Sequence, residues 1–560
     1  MMKLPIGLSD FKEVREEGYY YVDKSLFIQD IIQRSSKVIL LPRPRRFGKT
    51  LNLSMLRYFF EKREDSLADL FKGLAVEQYP EIMQHQGQYP VIFLTFKSCK
   101  GPNLEECLSE IRRLLKNLYL EHQASIYPKL SVNEQKDYDM ITEKQGDIND
   151  WQSALSFLMQ LLHRQTGKRV MVFLDEYDTP IHSGQENGYY EEIVLFMRIL
   201  LGHALKDNSA LEKGVVTGVL RIAKESIFSD LNNLDVLSLL RSEFQDYFGF
   251  TEAEIETLSQ DFSLAESLEN LKQWYNGYLF GNKVIYNPWS IVSFLMSQDR
   301  FPRPYWINTA SDSLLRDIIT RTEPGFQEHI ETLLAGGTVK SELNENIVLR
   351  DLEQSDSNIW SLLVFSGYLK PVKMIPQRII PLYELAIPNL EVYSFYQETL
   401  KKWLHQTVGS QRLHHLLQAL TEADFKTFGK LLKEMVLAML SYHDMAGKEP
   451  ERVYHAFVLG LLTHLTDHYL IRSNRESGYG RYDVLMIPYE KTKPGFIFEF
   501  KKIDKPDDKS EIEAMQSALQ QIQDKQYTIE LQEQGVKSIW GIGIVVEGKQ
   551  VWVDSQLLTS

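Results

Sequence analysis

Val38-Ile-Leu-Leu-Pro-Arg-Pro-Arg-Arg-Phe-Gly-Lys-Thr50 is the stretch that decides how the chain is read. Val38 to Leu41 is a short apolar run, expected as a buried strand that stops at Pro42. Gly48-Lys49-Thr50 follows, and then Leu51, Met55, Leu56 and Phe59 recur at helical spacing. Strand, tight loop and helix N-terminus together make a phosphate cradle. Loop amides and the helix dipole face the anion, Lys49 reaches the β- and γ-phosphates, and the Thr50 hydroxyl holds Mg²⁺. The match to G-x-x-x-x-G-K-[ST] is incomplete, because Arg43 stands where the first glycine belongs. Arg43, Arg45 and Arg46 are expected to set three cations beside the phosphates.

A second stretch completes the chemistry. Arg169-Val-Met-Val-Phe-Leu-Asp-Glu176 reads as a central parallel strand that delivers two carboxylates to the C-terminal edge of a sheet. Asp175 is expected to bind Mg²⁺ through water, and Glu176 to orient and deprotonate the attacking water. Asp178 is the next candidate for the base. Pro90 to Phe96 and Gly214 to Leu220 are further buried strands, the latter ending at Arg221, a cation placed to sense the γ-phosphate or to lie plainly on the surface. Strands alternating with amphipathic helices predict an α/β parallel sheet. ATP contacts are thus expected from Arg46, Gly48, Lys49, Thr50, Asp175 and Arg221.

Composition bounds the rest. At 560 residues the chain exceeds one core, and a prior of ~150 residues per domain suggests three or four. The net charge of −14 offers no global basic field for nucleic acid, so any such contact needs a local patch. Cys99 and Cys107 fit neither a metal clamp nor a disulfide framework, which points to a reducing cytoplasmic interior. No run approaches the ~18 apolar residues of a membrane span, and Met1 to Pro5 lacks an apolar signal segment. Tyr19-Tyr20-Tyr21 and Asp23-Lys24-Ser25 lead the first strand, either as a packing arm or near the base of the nucleotide, with Ser25 as a helix N-cap.

From about Asp246 the pattern turns to short helices and aromatic-rich turns, read as a helical or winged-helix lid over 249–400 and helical connectors over 401–450. His464 and His468 stand four apart on an expected helix 452–470, but nothing completes a metal site there.

The last hundred residues carry the second constellation. Tyr482 to Ile487 and Phe496 to Lys501 read as partner strands across a turn rich in Lys, Glu and Pro. Side chains alternate, so Glu499 and Lys501 share one face while Phe498 and Phe500 turn to the core. Antiparallel pairing brings Asp483 to Glu499, where the two carboxylates can hold Mg²⁺ or Mn²⁺ on a scissile phosphate and Lys501 can position or activate water. Glu451 is a candidate third carboxylate. A helix from Ser510 to Leu531 presents Gln521 and Lys525, and Gln523 and Tyr527, one turn apart.

Taken together, these motifs resemble a bacterial family of predicted AAA-ATPase-like proteins with a C-terminal PD-(D/E)xK nuclease domain. The resemblance spans nearly the whole chain: Leu4-Pro5-Ile6-Gly7, Tyr21-Val22-Asp23-Lys24, Arg43 to Lys49, Leu174 to Asp178, Thr217-Gly218, Ser226 to Ser229, Tyr275 to Tyr278, Tyr286 to Pro288, Gly480 to Asp483 and Glu499 to Lys501. Arg43 at the first loop position is typical of that family, and its "PD" is Tyr482-Asp483 here. The resemblance implies ATP binding and metal-dependent phosphodiester cleavage, over an ATPase-like domain 1–248, a lid 249–400, a connector 401–450 and a restriction-endonuclease-like α/β domain 451–560. The expected partner is nucleic acid, DNA ahead of RNA. Arg46 or Arg221 could act within one chain or across a homo-oligomer interface. The competing expectation is a nucleotide-driven switch or scaffold whose nuclease fold binds without cutting.

Overall fold

The computed structural model describes residues 3–220, 233–264, 267–307, 324–334, 336–346, 355–440, 458, 461–473, 476–477, 480–503, 511–525, 527–547 and 550–559. The chain divides into two units, Met1–Thr309 with Lys340–Glu391, and Ala310–Val339 with Val392–Ser560.

Five parallel strands form the centre of the first unit: β1 (Val38–Pro42), β2 (Val91–Thr95), β3 (Val170–Asp175), β4 (Leu211–Gly218) and β5 (Leu234–Val236). Their order is β2-β3-β4-β1-β5. β1 and β3 are buried along their whole length, as strands covered by helices on both faces must be. The strand inserted between them is β4, pairing Val38 with Gly214 on one side and Met171 with Lys213 on the other. β1 ends at Pro42, and the helix Lys49–Phe60 begins at once after Gly48, which adopts φ 83°. Glycine holds that left-handed turn without Cβ strain.

The leading segment packs against the later chain of the first unit. Lys24 is buried and donates to both carboxylate oxygens of Glu254 at 2.6 and 2.7 Å, while Tyr20 packs edge-on to Phe262. Ser25 precedes the helix Leu26–Gln33 but makes no cap; its hydroxyl instead accepts from the Val76 N–H at 3.0 Å.

The middle segment mixes helices with two small three-stranded sheets. β6 (Phe250–Thr251), β7 (Tyr278–Phe280) and β8 (Lys283–Tyr286) form one, in the order β6-β8-β7. β9 (Val339–Glu342), β10 (Lys370–Ile375) and β11 (Leu382–Ala386) form the other, in the order β10-β11-β9, with the helix Asp356–Phe365 running in before β10.

In the second unit a short β13 (Glu476–Ser477) and β14 (Gly480–Arg481) pair beside a five-stranded mixed sheet. That sheet runs β12 (Tyr469–Ser473), β15 (Val484–Pro488), β16 (Gly495–Lys502), β17 (Ile539–Glu547) and β18 (Gln550–Thr559) in spatial order. Only β16 and β17 pair in parallel. One face packs Val484, Met486, Phe496, Phe498 and Phe500 against residues of the helices Ser410–Thr421 and Phe425–Leu440. The other packs Leu485, Ile487 and Ile497 against Ile522, Tyr527 and Leu531. The expected single helix from Ser510 to Leu531 is two, Glu511–Asp524 and Ile529–Glu533. The expected helix 452–470 does not run through its described end. Thr463–Leu465 is a 3₁₀ turn and β12 begins at Tyr469, so His464 and His468 do not share a helical face.

Candidate nucleotide and nuclease sites

Asp175, the last residue of β3, is fully buried and receives hydroxyl groups from three neighbouring elements. The Thr217 hydroxyl donates to Oδ1 at 2.7 Å, and Thr50 and Thr95 donate to Oδ2 at 2.7 and 3.3 Å. Thr50 opens the loop helix, Thr95 ends β2 and Thr217 lies near the end of β4. The two strand threonines carry no role in the sequence reading. Their signal is positional: each sits at the tip of a strand adjacent to the acidic one.

Lys49 is buried, and its ammonium donates to the carbonyls of Arg43 and Pro44, both at 3.0 Å. Burial pulls its pKa down, opposed by Glu176, Asp175 and Asp178. Glu176 takes φ 49°, a left-handed backbone that costs a non-glycine residue roughly 1–2 kcal/mol. Burial raises its carboxyl pKa; Lys49 opposes the rise, and Asp175 and Asp178 add to it. Strain and a raised pKa together make Glu176 a candidate functional residue.

Asp178 is a structural anchor. Its buried carboxylate accepts the N–H groups of Val219 and Leu220 at 2.8 and 3.0 Å, with His182 Nε2 3.4 Å away. Burial pushes its pKa up, but His182 and the two amides outweigh that and hold it below the ordinary range. Gly218 is required by the same contact, because a Cβ there would lie 2.7 Å from Asp178 Oδ1.

The three loop arginines do not act alike, which corrects the expectation of three cations at the phosphates. Arg43 turns inward and is fully buried. Its Nη1 donates to the carbonyls of Pro42 and Leu237 at 2.8 and 2.7 Å, and the guanidinium lies 5.2 Å from the Phe248 ring and 5.4 Å from the Phe280 ring. It ties the end of β1 to the chain just past β5, and burial drops its pKa to about 9. Only Arg45 and Arg46 remain exposed. Arg221 lies outside the described residues.

At the second constellation, β15 and β16 pair Val484 with Phe498 and Leu485 with Ile497. Carrying that register one step brings Asp483 opposite Glu499. The Asp483 Oδ2 accepts the Phe500 N–H at 2.8 Å. Glu499 is 2% exposed, set among the apolar Phe496, Ile497, Phe498 and Phe500 of its strand. Lys501, two residues on and on the same face, donates to Glu499 Oε1 at 3.2 Å and to Gln521 Oε1 at 2.7 Å. Gln521 is thus held against the ammonium, where the sequence left it on a helix face. Behind it the Tyr482 hydroxyl donates to Glu530 Oε2 at 3.3 Å, and Glu530 is paired with Arg472. Glu451 lies outside the described residues. Among the described residues no group of three or more His, Cys, Asp or Glu side chains is gathered for a metal, and no helix is long and apolar enough to cross a membrane.

The donor sets fit hard divalent cations, which prefer oxygen ligands: a hydroxyl and a carboxylate at Thr50 and Asp175, two carboxylates at Asp483 and Glu499. Both sites lie in stretches that match known families. The chain is 28% identical over 542 residues to an uncharacterized protein in the vnfD 5' region of Azotobacter chroococcum mcd 1, covering 95% of this chain and 94% of that protein. Residues 5–228 match the model of the predicted AAA-ATPase family, and residues 449–556 that of the PD-(D/E)XK nuclease superfamily. One chain thus carries an N-terminal region that matches the predicted AAA-ATPase family and a C-terminal region that matches the PD-(D/E)XK nuclease superfamily.

Proposed function

We propose that the protein binds and hydrolyses ATP in its first unit and, coupled to that, cuts nucleic acid, DNA ahead of RNA, in its second. The observation that carries the reading is the burial of Glu499 beside the Lys501 ammonium, within the otherwise apolar run Phe496–Phe500. A buried charge is costly unless it is paired, and a merely structural strand has no need of this pair.

In the first unit Lys49 meets the β- and γ-phosphates, and Gly48 lets the loop turn tightly around them. Thr50 and Asp175 would hold the nucleotide's Mg²⁺, which neutralises phosphate charge when bound. Glu176 orients the attacking water and takes its proton, and its raised pKa makes it a stronger base than an ordinary carboxylate. Thr95 and Thr217 fix the Asp175 carboxylate. In the second unit Asp483 and Glu499 would hold Mg²⁺ or Mn²⁺, which supplies Lewis-acid charge at the scissile phosphate. Lys501 positions the attacking water, and Gln521 holds Lys501 in place. The cytoplasm, where ATP and nucleic acid meet, is the proposed location.

A second reading, a nucleotide-driven scaffold that binds without cutting, is favoured by the net charge of −14. Incubating the full chain with plasmid and linear DNA, with and without Mg²⁺ and ATP, separates the two. Metal-dependent cleavage supports the nuclease; binding without cleavage under every condition supports the scaffold.

A further inference from the structure

The outer side of the phosphate loop is held by residues far along the chain. The Arg46 guanidinium lies 3.7 Å from the Trp289 ring centroid. The Arg45 carbonyl accepts the indole N–H of Trp306 at 3.1 Å. Both tryptophans lead to one carboxylate. Glu391 accepts the Trp306 backbone N–H at 2.6 Å and the Ser290 hydroxyl at 2.7 Å. Ser290 follows Trp289 in the first turn of the helix Pro288–Met296, whose N-cap Asn287 accepts the Trp289 N–H at 2.9 Å. Glu391 and Asn287 are fully buried, so the indole of Trp289 is set on a fixed frame. Tyr278 extends that frame inward, edge-on to both Trp306 and Phe47.

Arg46 itself is held away from relaxed geometry. Its φ of 68° places a non-glycine residue in the left-handed region, which persists only where the surroundings impose it. Its guanidinium also feels the charge of Glu176, the acid that faces the phosphate site.

We infer that Trp289 is a positioning residue that withholds Arg46 from the nucleotide, and that a bound triphosphate draws Arg46 off the indole. This rests on the nucleotide reading of the first unit. An aromatic face and a phosphate oxygen compete for one cation, and the charge-assisted contact to phosphate is the stronger. Arg46 therefore changes partner when phosphates arrive, and the stacked state lowers apparent affinity by reducing the competent fraction. Glu391 keeps the alternative partner in place by anchoring the turn that carries Trp289 and the indole that holds Arg45.

The test is isothermal titration of the full chain with MgATP and, separately, with AMP. Wild type should bind MgATP, and Arg46→Ala should bind it more weakly. Trp289→Leu should bind MgATP about 3- to 10-fold more tightly, because the competing state is gone, with AMP affinity unchanged. In the Arg46→Ala background the same substitution should change nothing, an absence of effect that a general loosening of the loop would not produce. Trp289→Phe, which keeps a weaker aromatic face, should fall between wild type and Trp289→Leu, and it carries the comparison if Trp289→Leu loses its far-UV circular dichroism. Failure of wild type to bind MgATP overturns the nucleotide reading and this inference together. Normal wild-type binding with equal or weaker binding by both Trp289 variants, or tightening that persists without Arg46, overturns this inference alone.

Discussion

Thr50 and Asp175, 125 residues apart in sequence, are joined by a 2.7 Å hydrogen bond from hydroxyl to carboxylate. The bond places the start of the loop helix against the tip of the acidic strand. It predicts that Thr50→Val, which keeps shape and removes the oxygen, abolishes the strengthening of ATP binding by Mg²⁺ while leaving metal-free binding near the wild-type level. Titration with and without Mg²⁺ reads this. Lys49→Ala should instead weaken both, by roughly 10- to 100-fold, the worth of a hydrogen bond to a charged group.

Glu176→Gln should bind ATP normally and hydrolyse it slowly, at roughly one-hundredth of the wild-type rate or less, the usual share of a general base. The wild-type rate should fall with acidification at a higher pH than an ordinary carboxylate would give, because burial raises this carboxyl and the base must be ionised. A steady-state pH profile of phosphate release checks the sign. Undiminished turnover in Glu176→Gln would place the base elsewhere.

Gly218→Ala should destabilise the first unit by about 1–3 kcal/mol, the cost of overpacking, because the new Cβ meets both Asp178 Oδ1 and Tyr177 Cε1 below 3 Å. Chemical denaturation monitored by circular dichroism measures it.

At the nuclease constellation the three substitutions should differ in kind. Asp483→Ala should lose both Mn²⁺ affinity and cleavage. Lys501→Ala should lose cleavage and keep or slightly gain Mn²⁺ affinity, since a nearby positive charge is removed. Gln521→Ala should slow cleavage less than Lys501→Ala, because it frees the ammonium without removing it. Calorimetry with Mn²⁺ beside a cleavage assay reads both quantities.

Glu391 predicts a pH dependence of stability. Burial raises its carboxyl to about 8 in the folded chain, against hydrogen bonds from Ser290 and Trp306 that pull it down, whereas an unfolded glutamate titrates near ~4.3. Between these values the folded state binds the proton and the unfolded state does not, so stability falls as pH rises and levels off above about 8. Glu391→Gln, neutral throughout, should flatten that slope when denaturation midpoints at pH 5.5 and pH 9 are compared.

Much of this was legible in the sequence because it rests on local pattern. The run Val38 to Leu41 and the run Val170 to Leu174 are apolar without alternation, which only doubly covered strands require, and both are buried along their length. Glu499 and Lys501 share a face because strand periodicity leaves no alternative. What escaped depends on strand order. Thr95 and Thr217 acquire meaning only once β2 and β4 flank β3, and no spacing along the chain announces that arrangement. Arg43 was misplaced for a related reason. A cation in a phosphate loop reads as a phosphate ligand, and its aromatic cover, Phe248 and Phe280, lies some two hundred residues downstream. Trp289 and Glu391 were invisible for the same cause.

The insertion of β4 between β1 and β3 has a consequence for synthesis. A ribosome releases the phosphate loop and the acidic strand early, yet the two strands have no ladder to share until Leu211–Gly218 emerges and slides between them. A nascent chain halted before residue 211 would contain both motifs and no assembled centre, with the β1 and β3 edges that β4 covers left unpaired in the meantime. The joining of the two motif-bearing strands into one sheet is thus dated to the arrival of one eight-residue strand, and a chaperone guarding the nascent chain would have its task set by that interval.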